Sequence, residues 1–334
     1  MKEDGLETKI YAENKMGSMP VGKLLGSMAW PAILSMTINA LYNIVDSIFV
    51  AMIDEASLTA VSLIMPIQLL MISVAVGSGV GVNSLIARRL GARRLEEANK
   101  AASTSIRIAL MNYALFAFIG IFIAKPFVYA YSAGDYISQN GTIYLQIVTI
   151  FSLFSMTSII LEKVLQATGN MIIPMFISLT GALINICLDP ILIFGLLGAP
   201  KLGVAGAAIA TVIGQFFSMM VAIIAIFAKE HQVKIQIKGF KFDWNVVKDI
   251  YAVGFPSIVM QSIGSIMLIG FNAILAIESS TAVAVLGAYF KLQSFVFMPV
   301  FGLNQGAMPI IGYNYGARNK ARLMETFKKA FIVA

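Results

Sequence analysis

The stretch SLTAVSLIMPIQLLMISVAVGSGVGVNSLIA, residues 57–87, contains no charged side chain. As a helix rising about 1.5 Å per residue it would reach about 45 Å, enough to cross a hydrocarbon core of about 30 Å. The rest of the chain repeats the theme. Its 334 residues are 58% hydrophobic and 12% charged, with mean hydropathy +0.83, values that a globule in water could hardly cover with polar surface. Apolar windows recur near 26–52, 57–87, 103–124, 138–161, 171–197, 203–228, 250–277 and 282–311, and a ninth begins near Thr326. Each is expected to be helical, because an open strand edge in hydrocarbon leaves backbone donors and acceptors unpaired. The fold class is an all-α polytopic membrane protein.

The opening stretch also holds half of an internal repeat. Placing WPAI (30–33) over FPSI (255–258) sets an ungapped offset of 225 residues. At that offset Gln68 falls on Gln293, Gly77 on Gly302, Gly81 on Gly306, and the triplet Gly91, Ala92, Arg93 on Gly316, Ala317, Arg318. Six spans separate the copies, an even number, so both enter the membrane in the same direction and are related by an axis along its normal. The division expected is a tail (1–23), a first six-helix lobe (24–228), an interlobe linker (229–248) and the start of a second lobe (249–334). The second copy would need the rest of span 9 and three further spans to match the first, so the chain reads as C-terminally truncated.

Net charge is +7, and its distribution points to topology rather than to nucleic acid. Lysine and arginine collect in the tail and the even-numbered loops: Lys2, Lys9, Lys15 and Lys23; Arg88, Arg89, Arg93, Arg94 and Lys100; Lys163; Lys229, Lys234, Lys238, Lys241 and Lys248; Arg318, Lys320, Arg322, Lys328 and Lys329. The odd-numbered loops hold Lys125 and Lys201. The positive-inside rule then places the N-terminus in the cytoplasm. Residues 1–22, MKEDGLETKIYAENKMGSMPVG, lack the apolar core of a cleavable signal, so span 1 doubles as the insertion signal. The single Cys187 permits no disulfide framework, and His231, alone in the linker, is assigned no role.

Few ionisable residues fall within spans: Asp46, Asp189 and Lys291, with Arg107, Glu162 and Glu278 nearer the ends. Counting along the helices puts Asp46 and Asp189 at one depth, about 12 Å below the outer surface. Asn185 lies one turn from Asp189 on the same face, and Thr211 enters from the other direction to the same level. A lone Asn or Thr is ordinary glue between membrane helices. Two carboxylates in one layer instead mark an ion path or proton relay, and a sodium ion stripped to oxygen ligands would use the same four side chains. Lys291 has no counterpart in the first copy, where Pro66 stands; it either snorkels or faces a cavity. Met36, Asn39, Met260 and Gln261 complete the candidate cavity lining, methionine being an adaptable apolar surface. The glycines of SVAVGSGVGVNS (73–84) fit a small-residue packing face, and Pro31, Pro190 and Pro256 permit kinks within spans.

The segments YNIVDSIFV (42–50), LQATGN (165–170), NICLDPILIFG (185–195), GVAGAAIATVIGQ (203–215) and GLNQGAMPIIGYNYGA (302–317) together resemble the multidrug and toxic compound extrusion (MATE) family, in its bacterial MepA-like and DinF-like branch. The resemblance covers about residues 20–334. It implies a two-lobe helical bundle of parallel six-helix repeats around a central cavity, the second lobe truncated here. It also implies antiport: export of cationic or amphipathic compounds in exchange for H⁺ or Na⁺. In the DinF-like relatives an Asp of span 1, an Asn and an Asp of span 5 and a Thr of span 6 form the cation site, matched here by Asp46, Asn185, Asp189 and Thr211. Sodium-driven relatives carry a Glu in span 7 where this chain has Gly264, which shifts weight to the first lobe.

On this reading the protein is no enzyme and needs no cofactor beyond H⁺ or Na⁺ as coupling ion. Its partners are small-molecule cationic drugs and the lipid bilayer, not nucleic acid, and it works as a monomer in a bacterial cytoplasmic (inner) membrane. The alternative is a lipid-linked oligosaccharide flippase of the same superfamily, whose cavity would need to be cationic. An intramembrane enzyme fits less well, since neither Asp-rich magnesium motifs nor paired histidines occur in the sequence.

Overall fold

The computed structural model describes residues 14–131, 135–228, 232–236, 243–278 and 280–334, with the side chains of 265, 268–269, 272–273, 275–292 and 294–296 outside that description. His231, much of the linker, and the side chains of Glu278 and Lys291 therefore lie outside the described residues. Among the described residues every regular element is helical. A short α1 (Lys15–Ser18) precedes α2 (Val21–Ala51) and α3 (Glu55–Gly91). Next, α4 (Leu95–Phe118) passes through a π turn (Ile119–Ile123) into α5 (Ala124–Tyr131). Then come α6 (Asp135–Ile150), α7 (Leu153–Ala167), α8 (Ile172–Phe194) and α9 (Val204–Ala228), followed by α10 (Trp244–Glu278), α11 (Ser280–Gly316) and α12 (Lys320–Val333).

Among the described residues five helical runs, α2, α3, α4 with α5, α8 and α9, are long and apolar enough to cross a membrane, and α6 with α7, bent by 46° between them, would make a sixth if taken as one span. All of them lie between residues 21 and 228. Helices α10 and α11, 35 and 37 residues long, stand in repeat register with α2 and α3. Local chemistry sets the ends. The Asp54 carboxylate accepts from the Ser57 amide at 2.6 Å and caps α3; that bond holds the Asp54 carboxyl below the usual carboxylate range. At the end of α8, Gly195 turns left-handed at φ 77°, a region open to glycine at little cost.

The repeat is written into the contacts between lobes. Gly77 of α3 lies against Ile258 of α10, and Gly302 of α11 lies against Ile33 of α2. Gly91 of α3 meets the Tyr313 carbonyl of α11, and Gly316 of α11 meets the Arg88 carbonyl of α3. The 225-residue offset turns the first member of each pair of contacts into the second, the reciprocity a pseudo-two-fold axis demands. A methyl group at any of these four glycines would overlap the facing chain. The following turns match as well: Arg93 and Arg318 both adopt positive φ, at 59° and 56°.

All four contacts lie in the halves of the helices nearest the Arg-rich turns, here called the basic end. Interlobe hydrogen bonds cluster there too, with Arg89 on Asp249 at 3.1 Å and Tyr251 on Asn112 at 3.3 Å. Toward the far end Leu41, Ile44 and Ile48 of α2 and Met260, Ile263 and Ile266 of α10 are exposed, and a methyl at Gly264 would meet nothing. Among the described side chains, the lobes meet at the basic end, while those toward the far end are exposed.

Several charges counted to loops stand in helices, Lys163 and Lys125 among them. Lys163 is not a loop residue: it sits in α7 with 5% of its surface exposed. Lys125 lies in α5, its ammonium 5.8 Å from the Tyr129 ring centre. Long aliphatic stems let both residues join helices that a hydropathy window ends at the charge.

Candidate functional site

Close approach of α8 and α9 builds the first wall of the site. Gly206 packs on the Leu192 backbone and Gly214 on the Gly181 carbonyl, so the helices touch through main chain. Asn185 and Thr211 are thereby brought together. The Asn185 amide donates to Asp189 Oδ1 at 3.2 Å and to Thr211 Oγ1 at 3.3 Å. Helix α2 packs on α8 and delivers Asp46, whose carboxyl is within hydrogen-bonding reach of the Asp189 carboxyl. Asp189 and Asn185 are buried, and Asp46 and Thr211 are half-buried.

The electrostatics of this cluster are unbalanced. Ionised carboxylates only accept hydrogen bonds, so two of them in contact need a proton or a cation between them. Buried oxygens stand ready: Asp46 Oδ1, Asp189 Oδ2 and Asn185 Oδ1 have no hydrogen-bond partner, nor has Gln215 Oε1, one turn after Thr211. Such groups are costly in a low-dielectric interior unless something binds them. Pro190 adds to the excess of acceptors by withdrawing the amide that would bond the Ile186 carbonyl. The donor set is all oxygen, the chemistry of protons and hard cations.

The family model MatE matches residues 31–191 and again 256–334, the two stretches opening at the repeat-related Pro31 and Pro256. The chain belongs to the MatE family. A relative named multidrug export protein MepA, from Staphylococcus haemolyticus, is 28% identical over 311 residues, covering 93% of this chain and 68% of that one. The protein of the same name from Staphylococcus aureus strain MRSA252 is 28% identical over 317 residues, covering 92% and 68%. Among solved structures, an outward-facing multidrug resistance MATE family transporter of the MOP superfamily superposes with TM-score 0.88 at 27% identity, over 96% of this chain and 71% of that one. A MOP superfamily transporter from Pyrococcus furiosus, described as having a binding pocket of reverse polarity, gives TM-score 0.86 at 26% identity over 96% and 70%.

Three further side chains of this MatE chain surround the acids, two of them not named from the sequence. Tyr144 of α6, 3% exposed, lies beside Gln68 of α3 and Thr211 of α9 and in the field of Asp46. Tyr42 lies in the field of both acids. It stands one turn before Asp46, a spacing that could have flagged it, while Gln68 was already marked by the repeat. The cavity candidates divide. The Met36 sulfur accepts from the Gln305 amide at 3.6 Å, so it bridges lobes. Asn39 is half-buried, and its carbonyl accepts from Asn43 at 2.7 Å. Gln261 bonds back to Ser257 at 3.4 Å, and Met260 is 76% exposed. None of these is joined to the acid cluster.

Proposed function

We propose that this MatE chain is a multidrug efflux transporter working by antiport, in which a proton or sodium ion binds at Asp46, Asp189, Asn185 and Thr211 and drives export of cationic or amphipathic compounds. The observation that carries the reading is the pair of neighbouring carboxyls with unpartnered oxygens in the far half of the first lobe. A cation entering the pair satisfies those oxygens and cancels the repulsion between the acids. Leaving, it restores a negative site that attracts cationic cargo. Because coupling between two ligands is reciprocal in free energy, bound cargo lowers the affinity for the driving ion by the same factor. Tyr144 and Tyr42 orient the acids, and Thr211 and Asn185 complete the oxygen shell.

The proposal extends to setting. The basic end faces the cytoplasm of a bacterium, in keeping with the arginines and lysines gathered there. Residues 24–228 act as one rocking body, residues 249–334 belong to its mate, and a monomer carries out transport. Reconstitution of the full chain in liposomes tests the core of the reading. Movement of a fluorescent organic monocation is followed under an imposed proton gradient, sodium gradient or neither. Acceleration by one gradient, abolished in Asp189→Asn, is the expected result; movement indifferent to both gradients would overturn it.

A further inference from the structure

Lys163 is the strangest buried charge in the fold. Its stem leaves α7 and crosses α3 at Gly79, where a methyl group would stand 2.6 Å from Lys163 Cγ. Glycine at 79 is therefore the notch through which the side chain is threaded. Beyond it the ammonium donates to Gln166 Oε1 of its own helix at 3.0 Å and to Gln305 Oε1 of α11, in the other lobe, at 2.7 Å. The Gln305 amide goes on to Met36 of α2. Glu162, the neighbouring carboxyl, acts on the ammonium through its field, while its own hydrogen bond comes from Ser178 at 3.4 Å. The shortest bond to this cation thus comes from the opposite lobe, on the closed side of the cleft.

We propose that the Lys163–Gln305 bridge, threaded through the Gly79 notch, is an interlobe latch that makes closure of the basic end conditional on Gln305 and therefore reversible. The physical basis is an exchange of solvation. With the lobes together, the ammonium has traded water for two amide oxygens, one from each lobe. When they part, it loses Gln305, and water entering the gap replaces that oxygen. A buried cation without a full set of partners is costly, whereas an apolar side chain in the same slot is not. Closure at this point depends on Gln305 being present, and a charge-free seam would hold longer. The latch rests on the reading of the first lobe as a body that rocks against its mate, but its test reads distance, not transport.

The experiment uses the full chain in liposomes with Cys187→Ser and spin labels at Lys100→Cys and Lys320→Cys, exposed positions of opposite lobes at the basic end. Gln305→Leu strands the ammonium, so the population with a long interlabel distance rises about tenfold, as expected for the loss of one charge-assisted bond. Adding Lys163→Met to that variant removes the stranded charge and returns the population to within about twofold of the parent. Lys163→Met alone moves the distribution toward the short distance, and carries the test should Gln305→Leu not fold. An unchanged distribution in Gln305→Leu, no rescue by Lys163→Met, or an opened end in Lys163→Met alone would overturn the latch. Transport coupling could fail while these shifts remain, or hold while they vanish, so the two readings fall separately.

Discussion

The two ends of the same four helices are built on opposite terms. At the basic end α3 and α11 approach until Gly91 and Gly316 each touch a carbonyl of the other helix. At the far end Gly264 faces open space and α2 and α10 show aliphatic side chains. In lipid there is no hydrophobic gain from joining two apolar helices, so a seal must come from backbone contact and hydrogen bonds. Among the described residues the far halves show no such contact, and they hold the acids with unpartnered oxygens instead. One end keeps the lobes together, and the other carries the polar chemistry.

The largest effect expected is at the far end. Asp46→Asn and Asp189→Asn, made separately, each reduce gradient-driven export by more than about tenfold, because either change removes the charge a driving cation must neutralise. Initial rates in liposomes check this, and wild-type rates in both variants would leave the acids structural. Second, Gly91→Ala and Gly316→Ala each destabilise the seam by about 1–3 kcal/mol, since the added methyl meets backbone that cannot swing aside. Thermal unfolding should lose similar amounts in the two, because the contacts are mirror partners; one neutral variant would break the symmetry. Third, Asp54→Ala removes the cap of α3 and costs about 1 kcal/mol. The depressed Asp54 carboxyl implies a sign: its contribution is present above the ordinary carboxylate range and disappears as pH falls through the folded value, so the variant's deficit should shrink in acid. Smallest of all, Gly264→Ala adds a methyl to empty space in a helix, leaving stability within about 1 kcal/mol or slightly improved.

Much of this was readable from the sequence, because the bilayer forces periodicity and length into the open. The helical spans, the repeat and the company of Asp46, Asn185, Asp189 and Thr211 followed from counting residues at a fixed rise per residue. Tyr42 and Tyr144 did not follow, since an uncharged aromatic in an apolar run has the pattern of ordinary packing. Lys163 was misplaced for a sharper reason. A hydropathy window ends a span at its last charge, and nothing local in LEKVLQ reveals that a glycine eighty-four residues earlier has opened a notch for the stem. The glycines of 73–84 were legible as a packing face, but not that Gly77 serves the other lobe while Gly79 serves Lys163. Such divisions belong to tertiary geometry.

The reciprocal glycine contacts have a bearing on descent. If both copies arose from one duplicated ancestor, each half has since been moulded against the other's backbone, and neither can change its seam freely. A side chain gained at residue 91 would need room opened near residue 313, while its twin at 316 still presses on residue 88. The seam should thus be inherited as a matched set, slow to diverge even where the membrane-facing surfaces and the cargo have drifted apart.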